Sequence, residues 1–139
     1  GSLKGRQNIY NHLDMLVREA QTTITLVTTA DGLSRKLEIL LPSLEKAKKR
    51  GVTIRIAAPI TPENKHVAKD FAKVAEVRNV DTLKARFMLI DSEQLMFMLL
   101  NDEEIHPTYD VGVWLNTEFF AQALENLFEI AWKNFKPIK

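Results

Sequence analysis

Apolar residues recur along this chain at two spacings, and the switches between them set the order of elements. From Gln7 to Ala20 the residues Ile9, Leu13, Leu16, Val17 and Ala20 fall at helical spacing, with Asn11, Asp14, Arg18 and Glu19 opposite. That pattern predicts a helix with one buried stripe. Thr22 to Thr29 is rich in β-branched residues and is followed by the turn pair Asp31-Gly32, as expected of a strand. Leu33 to Arg50 reads as a second helix through Leu37, Leu40, Leu41, Leu44 and Ala47, with Pro42 expected to kink or split it and Gly51 to end it. Val52 to Ala58 is a second strand, and strand, helix, strand implies a right-handed parallel crossover. Thr61 and Pro62 are expected to cap and start a short third helix to about Lys73, before an edge strand from Ala75 to Val80.

The stretch from Asp81 to Asn101 is the centre of the pattern. Two apolar runs, Ala85 to Ile90 and Gln94 to Leu100, flank a polar turn, Asp91-Ser92-Glu93. The run from Leu95 to Leu100 has no polar alternation, which suits a central strand covered on both faces. A polar loop from Asp102 to Thr108 follows, then a strand from Tyr109 to Leu115. Asn116 or Thr117 caps a final helix carrying Phe119, Phe120, Ala123, Leu124, Leu127, Phe128, Ala131, Trp132 and Phe135. Its apolar stripe is wider than one sheet face needs, so it either packs on the sheet alone or also meets a partner chain. Phe120, Phe128 and Trp132 are the candidate dimer contacts. The order αβαβαββββα specifies an α/β fold with a mixed, mostly parallel sheet flanked by helices.

Composition narrows the function. The 139 residues are 45% hydrophobic, enough for one domain with a single core and not for two. A net charge of +1 disfavours DNA binding by this segment alone, since a phosphate-binding domain is distinctly basic. There is no cysteine, so disulfides and thiolate metal sites are excluded and a reducing, cytoplasmic setting fits. No apolar run approaches a membrane span, and no stretch reads as a signal peptide. Gly1-Ser2 reads as the remnant of a cleaved tag, and residues 3–139 as one domain of a longer protein.

Lys84-x-Arg86-x4-Asp91 and Asn101 fall on the spacing H-x-K-x4-D-x6-G-[GS]-x-N, and in this the chain resembles the phospholipase D superfamily. The resemblance implies a histidine nucleophile, a phosphate-binding lysine and an aspartate that orients the histidine. Here Lys84 takes the histidine position, Arg86 the lysine position, and Met98 and Leu99 replace the small residues. A protonated lysine has no free lone pair for nucleophilic attack, so the implied fold is kept and its chemistry removed. Because the superfamily's sites form between two such halves, one half per chain implies a homodimer.

A second resemblance rests on Val77-Arg78-Asn79-Val80, on Tyr109-Asp110-Val111-Gly112-Val113-Trp114-Leu115-Asn116, and on Phe120-Ala121-Gln122-Ala123-Leu124 with Leu127, Phe128 and Trp132. These look like archaeal TrmB-type transcriptional regulators, in which a winged helix-turn-helix precedes a phospholipase D-like domain. The likeness implies a dimeric regulatory domain that senses a small effector, a sugar or an anionic metabolite, and reaches DNA only through a module absent from this chain. An enzyme of the phospholipase D type and a dimerisation module without effector are the alternatives.

The candidate ligand residues are Lys84, Arg86, Asp91 and Asn101, with Thr28, Thr29 and Asp31 as a second group beyond a strand's carboxyl end. Lys84, Arg86 and Asp91 either line an anion pocket, or Arg86 and Asp91 form a structural ion pair at the strand end. His12, His66 and His106 read as surface residues rather than nucleophiles, and Asp102-Glu103-Glu104 as a solvated loop. The basic run Lys46, Lys48, Lys49 and Arg50 complements a helix dipole. No metal site, catalytic residue or cofactor is expected.

Overall fold

A computed structural model describes residues 1–138. Strands β1 (Ser2–Lys4), β2 (Thr23–Val27), β3 (Thr53–Ala58), β4 (Glu76–Asn79), β5 (Phe87–Ile90), β6 (Gln94–Met98), β7 (Val111–Asn116) and β8 (Lys136–Pro137) form one sheet in the order β1-β7-β6-β5-β2-β3-β4-β8. The helices are α1 (Arg6–Glu19), α2 (Ala30–Lys49), α3 (Lys65–Phe71) and α4 (Glu118–Trp132). The predicted order is present, with a short strand added at each end. The sheet is mixed, as expected, but its balance differs. Only β2 with β3 and β3 with β4 run parallel, and the other five pairings are antiparallel. Hairpins and the returning last strand outnumber the crossovers, so "mostly parallel" is corrected.

Alternation along the strands divides the core between the two faces. Ile24, Leu26, Ile54, Ile56, Met88, Ile90 and Met96 pack with Ile9, Leu13, Leu16, Leu33, Leu40, Leu44 and Phe71 from α1, α2 and α3. Val27, Ala57, Phe87, Leu89 and Leu95 pack on the other face under Ala121, Phe128 and Trp132 of α4. All four residues of β5 are buried, but the run read as a strand covered on both faces, Leu95 to Leu100, is so only in part: β6 ends at Met98, Phe97 is half-buried, and Leu99 and Leu100 are exposed beyond the strand. Gly112 of β7 lets α1 approach closely, because a Cβ there would stand 2.7 Å from Met96 Cε and 3.2 Å from Ile9 Cγ1.

Two helix expectations are corrected. α2 runs unbroken through Pro42. That proline lies on the solvent side, where the core-facing residues Leu40, Ser43 and Leu44 hold the register. It does end before Gly51, which takes a φ of 93°. α3 begins at Lys65 rather than after Thr61. Asn64 explains the shift: its Oδ1 accepts from Thr61 N–H at 2.7 Å, its N–H donates to Thr61 Oγ1 at 3.2 Å and its Nδ2 donates to the Pro59 carbonyl at 2.9 Å, holding residues 62–64 as turns.

Candidate functional site

The carboxyl end of β2, the amino end of α2, the start of β5 and the loop between β6 and β7 converge at one end of the sheet. A buried charge cluster forms there. Arg86 stands just before β5, with its side chain 3% exposed. Its Nη1 and Nη2 donate to Asp110 Oδ1 at 3.1 Å and Oδ2 at 2.9 Å, and Nη1 also donates to the Leu100 carbonyl at 2.9 Å. Asp110, which precedes β7, further accepts from Arg6 Nε at 3.3 Å. Asp102 accepts from Thr29 Oγ1 at 2.7 Å and from Arg35. Its Oδ1 faces Arg86 Nε at 3.9 Å, and neither atom has a hydrogen-bond partner.

Lys36 lies deepest. Its ammonium donates to Thr28 Oγ1 at 2.9 Å and sits 5.1 Å from the centre of the Tyr10 ring. The approach is close because residue 32 is glycine: a Cβ there would stand 2.4 Å from Thr28 Oγ1 and 3.1 Å from Lys36 Nζ.

Three arginines, Arg6, Arg35 and Arg86, therefore share two carboxylates, Asp102 and Asp110, with the Lys36 amine bonded to Thr28 beside them. Burial, with Arg86 and Arg35 nearby, lowers Lys36 to about 7 despite the opposing pull of Asp102 and Asp110. Burial alone would raise Asp102, but the Thr29 hydrogen bond and the charges of Arg86, Arg35 and Lys36 hold it below the usual carboxylate range. Asp110 is held down against burial in the same way by Arg86 and Arg6. The cluster has the character of an electrostatic lock.

A cleft of about 310 Å³ opens beside it. Thr29, Lys84, Arg86, Asn101, Asp81 and Glu103 supply its polar lining, and Leu83, Met98, Leu99 and Leu100 much of the apolar lining. Lys84, Arg86 and Asn101 of the first candidate group thus line one cleft, and Thr29 of the second group lines it with them. Thr28 is buried against Lys36, and Asp31 is exposed on the first turn of α2, outside the cleft lining.

Asp91 is at the other end of β5, so the Arg86–Asp91 ion pair does not exist, nor does a pocket shared by the two. Its carboxylate accepts from the backbone N–H groups of Gln21, Thr22 and Thr23 at 2.9, 2.7 and 3.1 Å. Asp91 and Ser92 both take positive φ, 56° and 55°, the hand of turn that suits a hairpin.

No histidine lines the cleft. His12 meets the Trp114 ring edge-on at 5.6 Å, His66 is exposed on α3, and His106 Nδ1 accepts from Thr108 N–H at 3.1 Å. Lys48 donates to the Lys73 carbonyl, and Arg50 to the carbonyls of Val17 and Ala20.

The sequence missed Asp102, which is buried rather than part of a solvated loop. It also missed Asp110, Arg6, Arg35 and Lys36. One signal was available: Lys36 falls on the inner stripe of α2 between Leu33 and Leu40. Among the candidate dimer contacts, Phe128 and Trp132 are buried under the chain's own sheet, and Phe120 is half exposed beside Phe97.

Among the described residues no helix is long and apolar enough to cross a membrane, and no group of three or more His, Cys, Asp or Glu could hold a metal ion. The chain resembles the solved structure of TrmBL2, an archaeal chromatin protein, with a TM-score of 0.79 and 22% identity over 99% of this chain and 54% of that one. It also resembles Nuc from Salmonella typhimurium, a phospholipase D family member, with a TM-score of 0.75 and 14% identity over 100% and 98% of the two chains. NucT from Helicobacter pylori gives 0.75 and 10% identity over 99% and 98%. These likenesses establish a phospholipase D-like fold. No curated protein matches the chain. The family model described as "Transcriptional regulator TrmB, EBD N-terminal subdomain" matches residues 2–138, so nearly the whole chain is accounted for and it belongs to the TrmB family of transcriptional regulators.

Proposed function

We propose that this domain senses a small effector in the cleft beside Arg86, works as a homodimer, and carries no catalysis of its own. In this reading residues 3–139 form one regulatory domain, acting in the cytoplasm on DNA through a winged helix-turn-helix outside this chain. The observation that carries it is the condition of Arg86. Both of its terminal nitrogens are engaged by Asp110, so the cation at the cleft floor is neutralised from within. The exposed amine of Lys84 and the Asn101 amide remain at the rim, groups suited to holding a polyhydroxylated or singly charged ligand in place.

A thermal-shift screen of the domain against sugars, sugar phosphates, nucleotides and simple anions tests this. A ligand that binds only the native state adds about 2.7 kcal/mol at a hundredfold excess over Kd. One class is expected to raise the melting temperature, and Lys84→Ala with Asn101→Ala to abolish the shift. No hit across the panel favours a dimerisation module without effector.

The likeness to Nuc favours one rival, a phosphodiesterase or nuclease of the phospholipase D type. Hydrolysis of a chromogenic phosphodiester that disappears in Lys84→Ala would overturn the sensor reading.

A further inference from the structure

α4 has two apolar faces, and the chain covers only one. Ala121, Phe128 and Trp132 are buried on the sheet. On the opposite side Phe119 is 88% exposed, Phe120 46%, Leu127 65% and Ile130 66%, and Ala123 is exposed between them. Four of the eight exposed large hydrophobic residues in the described chain therefore lie on this one helix.

Their order is informative. Phe120, Ala123, Leu127 and Ile130 follow each other at three, four and three positions, the spacing of a helix-pairing seam. That spacing reads the same in both directions. An inverted second copy of α4 therefore meets the first position for position, Phe120 against Ile130 and the small Ala123 against the larger Leu127.

The charges permit the pairing. Glu118 begins the helix and Lys133 follows its end, and at 100° per residue both lie off the seam. The carboxylates in the middle are withdrawn: Glu129 pairs with Arg55 at 2.5 Å, and Glu125 with Arg55 at 3.8 Å and with Ser92. The side chains flanking the seam there, Gln122 and Asn126, are uncharged. Two identical helices thus meet without like-charge repulsion, and their dipoles oppose.

We propose that α4 pairs antiparallel with α4 of a second copy of this chain, about a two-fold axis between Ala123 and Leu127, through Phe120, Ala123, Leu127 and Ile130. This rests on the homodimer part of the function proposed above and supplies its interface.

The test is the mass of the 139-residue chain in solution, followed over a concentration series by sedimentation. The wild type is expected at twice its 15.9 kDa and Leu127→Glu/Ile130→Glu at the monomer mass, with unchanged circular dichroism because both positions face solvent. Orientation is read by oxidative cross-linking, made clean by the absence of native cysteine. Ala123→Cys/Leu127→Cys should give a covalent dimer, whereas Ala123→Cys alone should not. Cross-linking by the single variant means a parallel pair and overturns the geometry. A dimer that survives Leu127→Glu/Ile130→Glu places the interface elsewhere and overturns the α4 seam while leaving the homodimer intact. A wild-type monomer throughout overturns both.

Discussion

The two ends of the β5–β6 hairpin hold carboxylates in opposite ways. At the turn, Asp91 is satisfied by backbone N–H groups of one short segment, residues 21–23, at a part-exposed site. At the far end Asp102 and Asp110 are buried among three arginines drawn from α1, α2 and the approach to β5, with Lys36 close by. A carboxylate held by backbone donors caps a strand and leaves every partner neutral. A carboxylate held by side-chain cations makes the charges depend on one another, so removing a carboxylate strands the cations buried with it.

Asp110→Ala should therefore have the largest effect. It leaves Arg86 buried without its bidentate partner, which costs about 3–5 kcal/mol, measured as the loss in urea-unfolding free energy. Asp91→Ala removes charge-assisted bonds at a wetter site and should cost about 2 kcal/mol in the same assay. A loss at Asp91 equal to that at Asp110 would erase the contrast.

Lys36→Met sharpens the comparison through pH. Between about 7 and 10.5 the unfolded chain holds the Lys36 proton more often than the folded one, so wild-type stability rises with pH across that window. Below it both states are protonated and the full cost of the buried charge is present. The variant should be more stable than wild type by about 1 kcal/mol at pH 6, and its stability should lack the rise from pH 7 to 10. In the other direction, Asp91, Asp102 and Asp110 are all lowered from 3.8. They contribute stability that is present above that value and is lost as pH falls through their lower folded values.

Most of the fold was legible because it is written in local periodicity. β5 and β6 were found from unbroken apolar runs, and the buried stripes of α1 and α2 from their spacing. α3 was misplaced because Thr61 and Asn64 bond each other reciprocally, and Asn64 also reaches the carbonyls of Pro59 and Ala30, so the helix starts only after this turn. The site was half legible. Arg86 stood out by its spacing to Lys84 and Asp91, but its partner Asp110 is 24 residues further on. Asp102 was hidden by the two acidic neighbours that do face solvent, Glu103 and Glu104. Pairing across the sheet end is a tertiary fact, and only the misplaced-looking Lys36 hinted at it.

The sheet's outermost strands bear on how copies of this molecule can associate. One margin is β1, three residues long, and the other is β8, two residues long and containing Pro137. A strand this short offers few free backbone donors and acceptors, and proline withholds one more, so an incoming extended segment finds little to zip onto. Eight strands side by side would otherwise be a template for continuous, open-ended growth into fibres. Among the described residues both margins thus offer an incoming strand less than the side-chain surfaces do, and those surfaces can saturate after a single copy.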